Sequence, residues 1–562
     1  MRDTKPLQRR IDAALGKIPF DTVLKNTQTL DVFSGNWIRR DVGIIDGTIV
    51  SVDFNLKGHR VFDFTGKWLV PGFIDAHVHI ESSLLTPNNF QKVTLPKGTT
   101  GAVCDPHELA NVLGTRGIEY FLKASEQSFL DLRIMLSSCV PATHMETNGA
   151  GQLNAEKLLE LKNRPNVVGL AEVMNVPGVL HKEEDVLRKL SGFSNMPIDG
   201  HCPLLSGNEL SAYASTGISS CHESSELAEA KEKLQKGISI WIREGSVAKD
   251  LDHLISILNE NTWPFIGFCT DDRNPLDIAK EGHIDYLIRQ AIQKGVPAQT
   301  AYRSASWSVA NHYGLNKGWK RLGAIAPGFQ ADLVVLEDAA TCSINQVFKT
   351  GRPVSELPLR SGAQEEFSNS IKAKIPELVD LTGPTGKVHC IEIQSGKIIT
   401  KRSIRSSNDP QVARLSVLER YGHGSKPANG YVVGFGEHFD GAIASSVGHD
   451  SHNLCVVGKN PADIQIALKA LIEIGGGFAV VRKKTVIAEL ALPFGGLMSF
   501  EEPEIIQQKL TELRKASEAI GCELAEPFLQ LAFLCLPVIP SLKLTDKGLV
   551  DVEQFKIIDV RA

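Results

Sequence analysis

Between Asp21 and Leu69 apolar and polar residues alternate, as in "TLDVFSGNWIRRDVGIIDGTIVSVDFN", with a tight-turn signal at Asp46-Gly47. Period-two alternation predicts strands with one buried face, and the D-G pair predicts a hairpin. From Val70 the pattern changes to short, nearly continuous apolar runs separated by stretches with helical spacing. Such alternation predicts parallel strands buried on both faces and joined by crossover helices. The runs end "GFIDAHVHI", "TTGAVCDP", "LRIMLSSCV", "NVVGLAEV", "MPIDGHCP", "GISSCHES", "ISIWIREG" and "PFIGFCTDD". Eight strand–helix units in roughly 250 residues specify an α/β fold of the (β/α)8 TIM-barrel type, with its active site at the carboxyl ends of the strands. A doubly wound open sheet would alternate similarly, but no Rossmann fingerprint follows the first run.

After the barrel, "RLGAIAPGFQADLVVLED" and "CSINQVFKTGRPV" return to strand character and are expected to complete the small β-domain begun upstream. Beyond about residue 370, "KVHCIEIQSGKII" reads as strand, and "PADIQIALKALIEIGG" and "EEPEIIQQKLTELRKASEAIG" read as helices. The expected organisation is an N-terminal segment and first part of a small flanking β-domain over 1–69, the barrel over 70–320, return strands over 321–365, and an additional C-terminal α/β domain over 370–562.

The 562 residues carry a net charge of -5, which lacks the basic excess that binding a phosphate backbone demands, so no nucleic-acid partner is expected. No run approaches the roughly 18 apolar residues of a membrane span, and the N-terminus lacks a signal-peptide core, so a cytoplasmic protein is expected. Ten cysteines are scattered without a C-x-x-C pair, so reduced thiols are expected. Cys202, Cys221 and Cys269 stand near polar strand ends but fit a packing role. The missing C-x-x-C also excludes the deaminases that hold zinc through H-x-E and P-C-x-x-C.

The polar strand ends carry the chemistry. His77 and His79 are two apart on a strand and so share a face. Run four ends in Glu172, run five in His201, run six in His222 and run eight in Asp271. Imidazoles and carboxylates together suit Zn, Fe or Mn, and these donors are enough for two ions with a carboxylate between them. Two adjacent divalent ions acidify a shared water and polarise the bond to be attacked, which is hydrolytic chemistry. Glu172 could instead orient a ligand from behind. Asp272, next to Asp271, is expected to pair with Arg273. In "SSVGHDSHN", His449, Asp450 and His452 could reach over the barrel mouth, bind a further ion or cap a helix; capping is the expected role. The glycine-rich "GGGFAVV" and "GFGEHFDG" match no nucleotide-binding motif.

The H-x-H after "VPGFID", the single histidines ending runs five and six and the aspartate ending run eight resemble the amidohydrolase superfamily, over about residues 25–360. Within it, "HVHIESS", "DPHELANV", "GLAEVMN", "FCTDDR" and "LPFGGLMS" resemble the bacterial-type adenine deaminases, including their extra C-terminal domain. The resemblance implies a metal-dependent aminohydrolase of purine salvage, converting adenine and water to hypoxanthine and ammonia by attack of metal-bound hydroxide on C6. It further implies two divalent ions, Mn2+ or Fe2+ with Zn2+ as an alternative, on His77, His79, Glu172, His201, His222 and Asp271, in a homodimer. Many superfamily members bridge their metals with a carboxylated lysine; "NVVGLAEVMN" has none, and the resemblance puts Glu172 in that place. It also makes Asp271 both ligand and proton shuttle. Attack on an aromatic amidine carbon is assisted by an acid that protonates the adjacent ring nitrogen, and Glu81, His107 and Glu223 are the candidates. His107 and Glu108 equally suit the start of a helix after Asp105-Pro106. Hydrolysis of a cyclic amide or an N-acetyl sugar, or a non-catalytic barrel scaffold, are the alternative functions.

Overall fold

The computed structural model describes residues 4–359, 367, 370–394, 396–424 and 426–562. All eight apolar runs form strands: Phe73–Val78, Thr99–Cys104, Asp131–Leu136, Val167–Val173, Ile198–Gly200, Ser220–Cys221, Ser239–Arg243 and Ile266–Cys269. They pair in parallel in chain order, and every residue of the first, second and last is buried, as a sheet covered on both faces requires. Strands one and eight meet at one point, where Asp271 N–H donates to His77 O at 3.0 Å and His79 N–H donates to Asp271 O at 3.2 Å. The arrangement is a TIM barrel, with Ile74, Ala76, Val103, Met135, Ala171, Trp241, Cys269 and Tyr313 packed in one apolar cluster.

Residues on either side of the barrel in sequence share one eight-stranded sheet. Its return strand Leu333–Asp338 lies antiparallel to Trp68–Pro71, with Val335 opposite Leu69. Lys349, 2% exposed, ties this sheet to the barrel. Its ammonium donates to Asp332 Oδ2 at 2.5 Å and to Thr100 O at 3.0 Å, and pairs with Asp131 at the start of the third barrel strand.

The chain after residue 370 builds a third eight-stranded sheet, with Thr400–Ser406 and Thr485–Ala491 at its edges, and a three-stranded sheet of Leu542–Thr545, Gly548–Asp551 and Lys556–Ile558. Its helices Pro461–Glu473 and Pro503–Ala519 lie in the two stretches with helical spacing. The first starts at Asn460, whose Oδ1 accepts from Asp463 N–H at 2.8 Å, with Pro461 in the first turn. The expected boundary between 365 and 370 falls largely on residues outside those described. This region docks on the barrel loops: Ser499 N–H donates to Leu84 O at 2.8 Å, Thr545 Oγ1 to Met145 O at 2.6 Å and Asn453 Nδ2 to Thr147 O at 2.9 Å. All ten cysteines are buried and unbridged. Among the described residues no helix is long and apolar enough to cross a membrane.

Replacing Lys349 with alanine leaves Asp131 and Asp332 buried without their cation. The substitution is expected to cost about 3–5 kcal/mol in denaturant unfolding, because half of a buried ion pair is left uncompensated. Unchanged stability would show that the small sheet is anchored elsewhere.

Candidate metal centre

His77 lies in the first barrel strand and His79 one residue past its end, and their Nε2 atoms converge to 3.1 Å. His79 Nδ1 is 2.9 Å from Asp105 O. A proton donated there leaves the Nε2 lone pair facing His77 and the cavity, the usual arrangement behind a metal-binding imidazole. Glu172, in the fourth strand, has its two oxygens on different partners. Oε1 is 3.3 Å from His79 Nε2 and 3.0 Å from His107 Nδ1, whereas Oε2 is 2.7 Å from His201 Nδ1 and 3.1 Å from His222 Nε2. The His77 and His222 rings stack with centroids 4.0 Å apart. Asp271 Oδ1 completes the set, 3.2 Å from His79 Nε2 and 3.5 Å from His77 Nε2.

The donors fall into overlapping groups: His77, His222 and Asp271; Glu172, His201 and His222; His79, Asp105, His107 and Glu172. Within each group the ligand atoms lie within 4.8 Å of one another. Asp271 Oδ1 and His201 Nε2 are buried without a hydrogen-bond partner. Converging lone pairs and carboxylates out of water are costly unless a cation compensates them. This is a buried cluster able to hold metal, and its imidazole and carboxylate donors suit Mn, Fe or Zn.

A backbone turn explains how two adjacent aspartates reach one cavity. The eighth strand stops at Cys269, and Asp271 takes a left-handed φ of 53°. Asp271 and Asp272 then both line the cavity. Asp272 accepts from Ser82 Oγ, while Arg273 reaches Glu281 Oε2 at 2.5 Å and Gly282 O at 3.1 Å. The expected Asp272–Arg273 pair is replaced by these separate contacts. Burial opposes ionisation of Asp271, but the neighbouring His77 and His79 imidazoles and the charges of His222 and Arg243 hold its carboxyl well below the usual range.

The three candidate acids occupy different places. Glu81 Oε1 accepts from Leu109 N–H at 3.0 Å, in the first turn of helix His107–Leu113, and Glu81 is not among the cavity-lining residues. Its other oxygen is buried without a hydrogen-bond partner, and burial, with the charge of Glu108, raises the carboxyl from 4.5 to about 8. His107 and Glu223 do line the cavity. Glu223 is gripped by both terminal nitrogens of Arg243, which also reaches Asp271 Oδ2 at 3.0 Å and Asp250 Oδ2 at 2.9 Å. Sequence reasoning passed over Arg243; its signal was a charged residue closing the buried seventh strand, Ser239–Arg243, directly after the apolar run Ile240 to Ile242.

The amidohydrolase family model matches residues 68–354, and the adenine deaminase C-terminal domain model matches residues 392–556. "Adenine deaminase 1" of Rhizobium etli is 47% identical over 571 aligned residues, covering 99% of this chain and 100% of that one. "Adenine deaminase 1" of Agrobacterium fabrum is 46% identical over 569, covering 98% and 97%. The chain belongs to the adenine deaminase family.

The stretch that matches the adenine deaminase C-terminal domain roofs the cavity. Ile398, His449, Asp450, Phe533, Leu536 and Ile539 line it together with the barrel residues. His449 Nδ1 lies 2.5 Å from Glu108 Oε1, and His452 Nε2 pairs with the other oxygen of that carboxylate. The "SSVGHDSHN" segment therefore does not cap a helix; it joins strands Ala442–Ser445 and Leu454–Gly458 and reaches the barrel mouth. Behind the roof, buried Lys543 donates to Ile398 O at 2.9 Å and Phe533 O at 2.8 Å. Burial lowers this amine from 10.5 to about 7, against the opposing pull of Cys535.

Between those two values the folded chain carries a neutral amine and the unfolded chain an ammonium. The unfolded state then binds more protons, so Lys543 makes stability rise with pH across the window, by at most about 1.4 kcal/mol per pH unit, and this contribution is lost as pH falls through about 7. Lys543→Met is expected to flatten that rise in unfolding curves taken at either end of the window. An unchanged slope would mean that Lys543 stays charged in the fold.

Proposed function

We propose that this protein hydrolyses adenine to hypoxanthine and ammonia, using two divalent cations held by His77, His79, Glu172, His201, His222 and Asp271. The observation that carries the assignment is Glu172, with one oxygen toward His79 and the other toward His201 and His222, in a chain of the adenine deaminase family. Cations bound there supply acidified water and polarise the bond under attack, and Mn2+ or Fe2+, with Zn2+ as alternative, accept these donors. In the balanced reaction a C–O bond forms at C6, the exocyclic C–N bond breaks, and water's protons end on the leaving ammonia and the ring.

Asp271 is the proton carrier: His77, His79 and Arg243 keep it ionised, so it can accept a proton from water and pass it to the departing nitrogen. Glu223 holds Arg243 in place, a positioning role. His107 is the candidate that faces the ring nitrogen: its Nδ1 is engaged by Asp105 and Glu172, and its Nε2 lies 3.4 Å from Glu108 Oε1 and 3.8 Å from Asp450 Oδ1 of the roof. The charges of Asp105, Asp450 and Glu108 outweigh the effect of burial and hold His107 protonated well above the usual imidazole range. The same reading extends to a cytoplasmic homodimer in purine salvage.

Metal-replete protein is expected to release ammonia from adenine, and absence of release would overturn the assignment; adenosine, cytosine and dihydroorotate are the comparison substrates. Asp271→Asn is expected to lower kcat by about 10²–10⁴-fold with the fold retained, the range for losing a general acid–base group. Glu172→Ala is expected to empty the centre in metal analysis, and full metal content in that variant would place the ions elsewhere.

A further inference from the structure

The roof contains polar groups that the chemistry above does not use. His449 and Asp450 are each 2% exposed and line the cavity, and His449 Nε2 and Asp450 Oδ2 are buried without a hydrogen-bond partner. Around them the wall is apolar: Met174, Ile398, Phe533, Leu536 and Ile539. The His449 ring lies nearly parallel to Phe533, with centroids 4.6 Å apart and planes inclined by 20°.

His107 spans floor and roof, its Nδ1 3.0 Å from Glu172 Oε1 and its Nε2 3.8 Å from Asp450 Oδ1. Floor and roof thus stand one aromatic ring apart, with a contact on each side. A buried carboxylate oxygen needs a donor, and a ligand beneath an apolar wall and a flat ring pair must bring one. Adenine has donors in two places only: the exocyclic amine, which belongs at the floor because C6 is attacked there, and one N–H on the imidazole ring. A purine substituted at N9 lacks the second.

We propose that Asp450 accepts the imidazole-ring N–H of the free base while His449 faces the other nitrogen of that ring, so that the C-terminal domain selects N9-unsubstituted purines. This rests on the adenine assignment above. The roof is then a specificity device: a base carrying a sugar or methyl group at N9 meets a carboxylate with no proton to offer.

The test measures kcat/KM for adenine, 9-methyladenine and adenosine, with metal content, on full-length metal-replete protein. Wild-type protein should favour adenine strongly over 9-methyladenine. Asp450→Asn should lower kcat/KM for adenine by about 10- to 150-fold, chiefly through KM, the range for one hydrogen bond to a charged group. It should also narrow the adenine to 9-methyladenine ratio, because only the base with a ring N–H loses a charged acceptor, and leave bound metal unchanged. Equal use of adenine and 9-methyladenine by the wild type overturns the proposal without any variant. So does an unchanged ratio in Asp450→Asn, or a third metal equivalent that this variant loses, which would make the His107, Glu108 and Asp450 group a cation site. A wild type with no activity on adenine is a failure of the activity assignment instead.

Discussion

A single buried carboxylate sets the terms for the rest of this structure. Glu172 is 2% exposed, yet its oxygens face imidazoles from several different strands. Placing them together out of water demands a rigid frame around them and positive charge among them. The barrel is the frame, since each donor sits at or just past the end of a strand or at the start of the helix that follows one. Arg243 supplies fixed positive charge at one side, bound at once to Glu223, Asp250 and Asp271.

What could be read from the chain was whatever has a short-range signature. The eight strands showed as apolar runs, and the donors among their last residues showed because such groups are out of place on buried strands without a reason. Asp272 escaped, since its direction depends on the left-handed turn at Asp271, which aspartate adopts without marking the sequence. Glu81 had the right distance from the histidines in sequence but turns to the backbone of the next helix, a contact 28 residues away. Arg243 was hidden because one arginine at a strand end is unremarkable until its three carboxylate partners, from other elements, are in view.

The roof was the least legible part. His449 lies more than 340 positions beyond Glu108, to which it pairs, and no local pattern couples residues so far apart. Its neighbours serine and aspartate favour capping, and only the docking of the C-terminal sheet on the barrel loops turns the segment to another use. The polar groups of the roof and the donor cluster of the barrel thus come from separate layers, one built by the C-terminal region and one by the barrel.

The junction of strands one and eight has a mechanical side as well. Among the described residues the two strands are bridged through Asp271, whose backbone bonds to His77 and His79 while its side chain faces the same two imidazoles. The seam of the cylinder and the candidate metal centre share these residues. A cation held there would bind the closed cylinder in preference to the open one, so its binding would add to the stability of the seam by linkage. Chelation would loosen the wall where it is joined, and a mutation that strains the wall would show first as weaker retention of the ion.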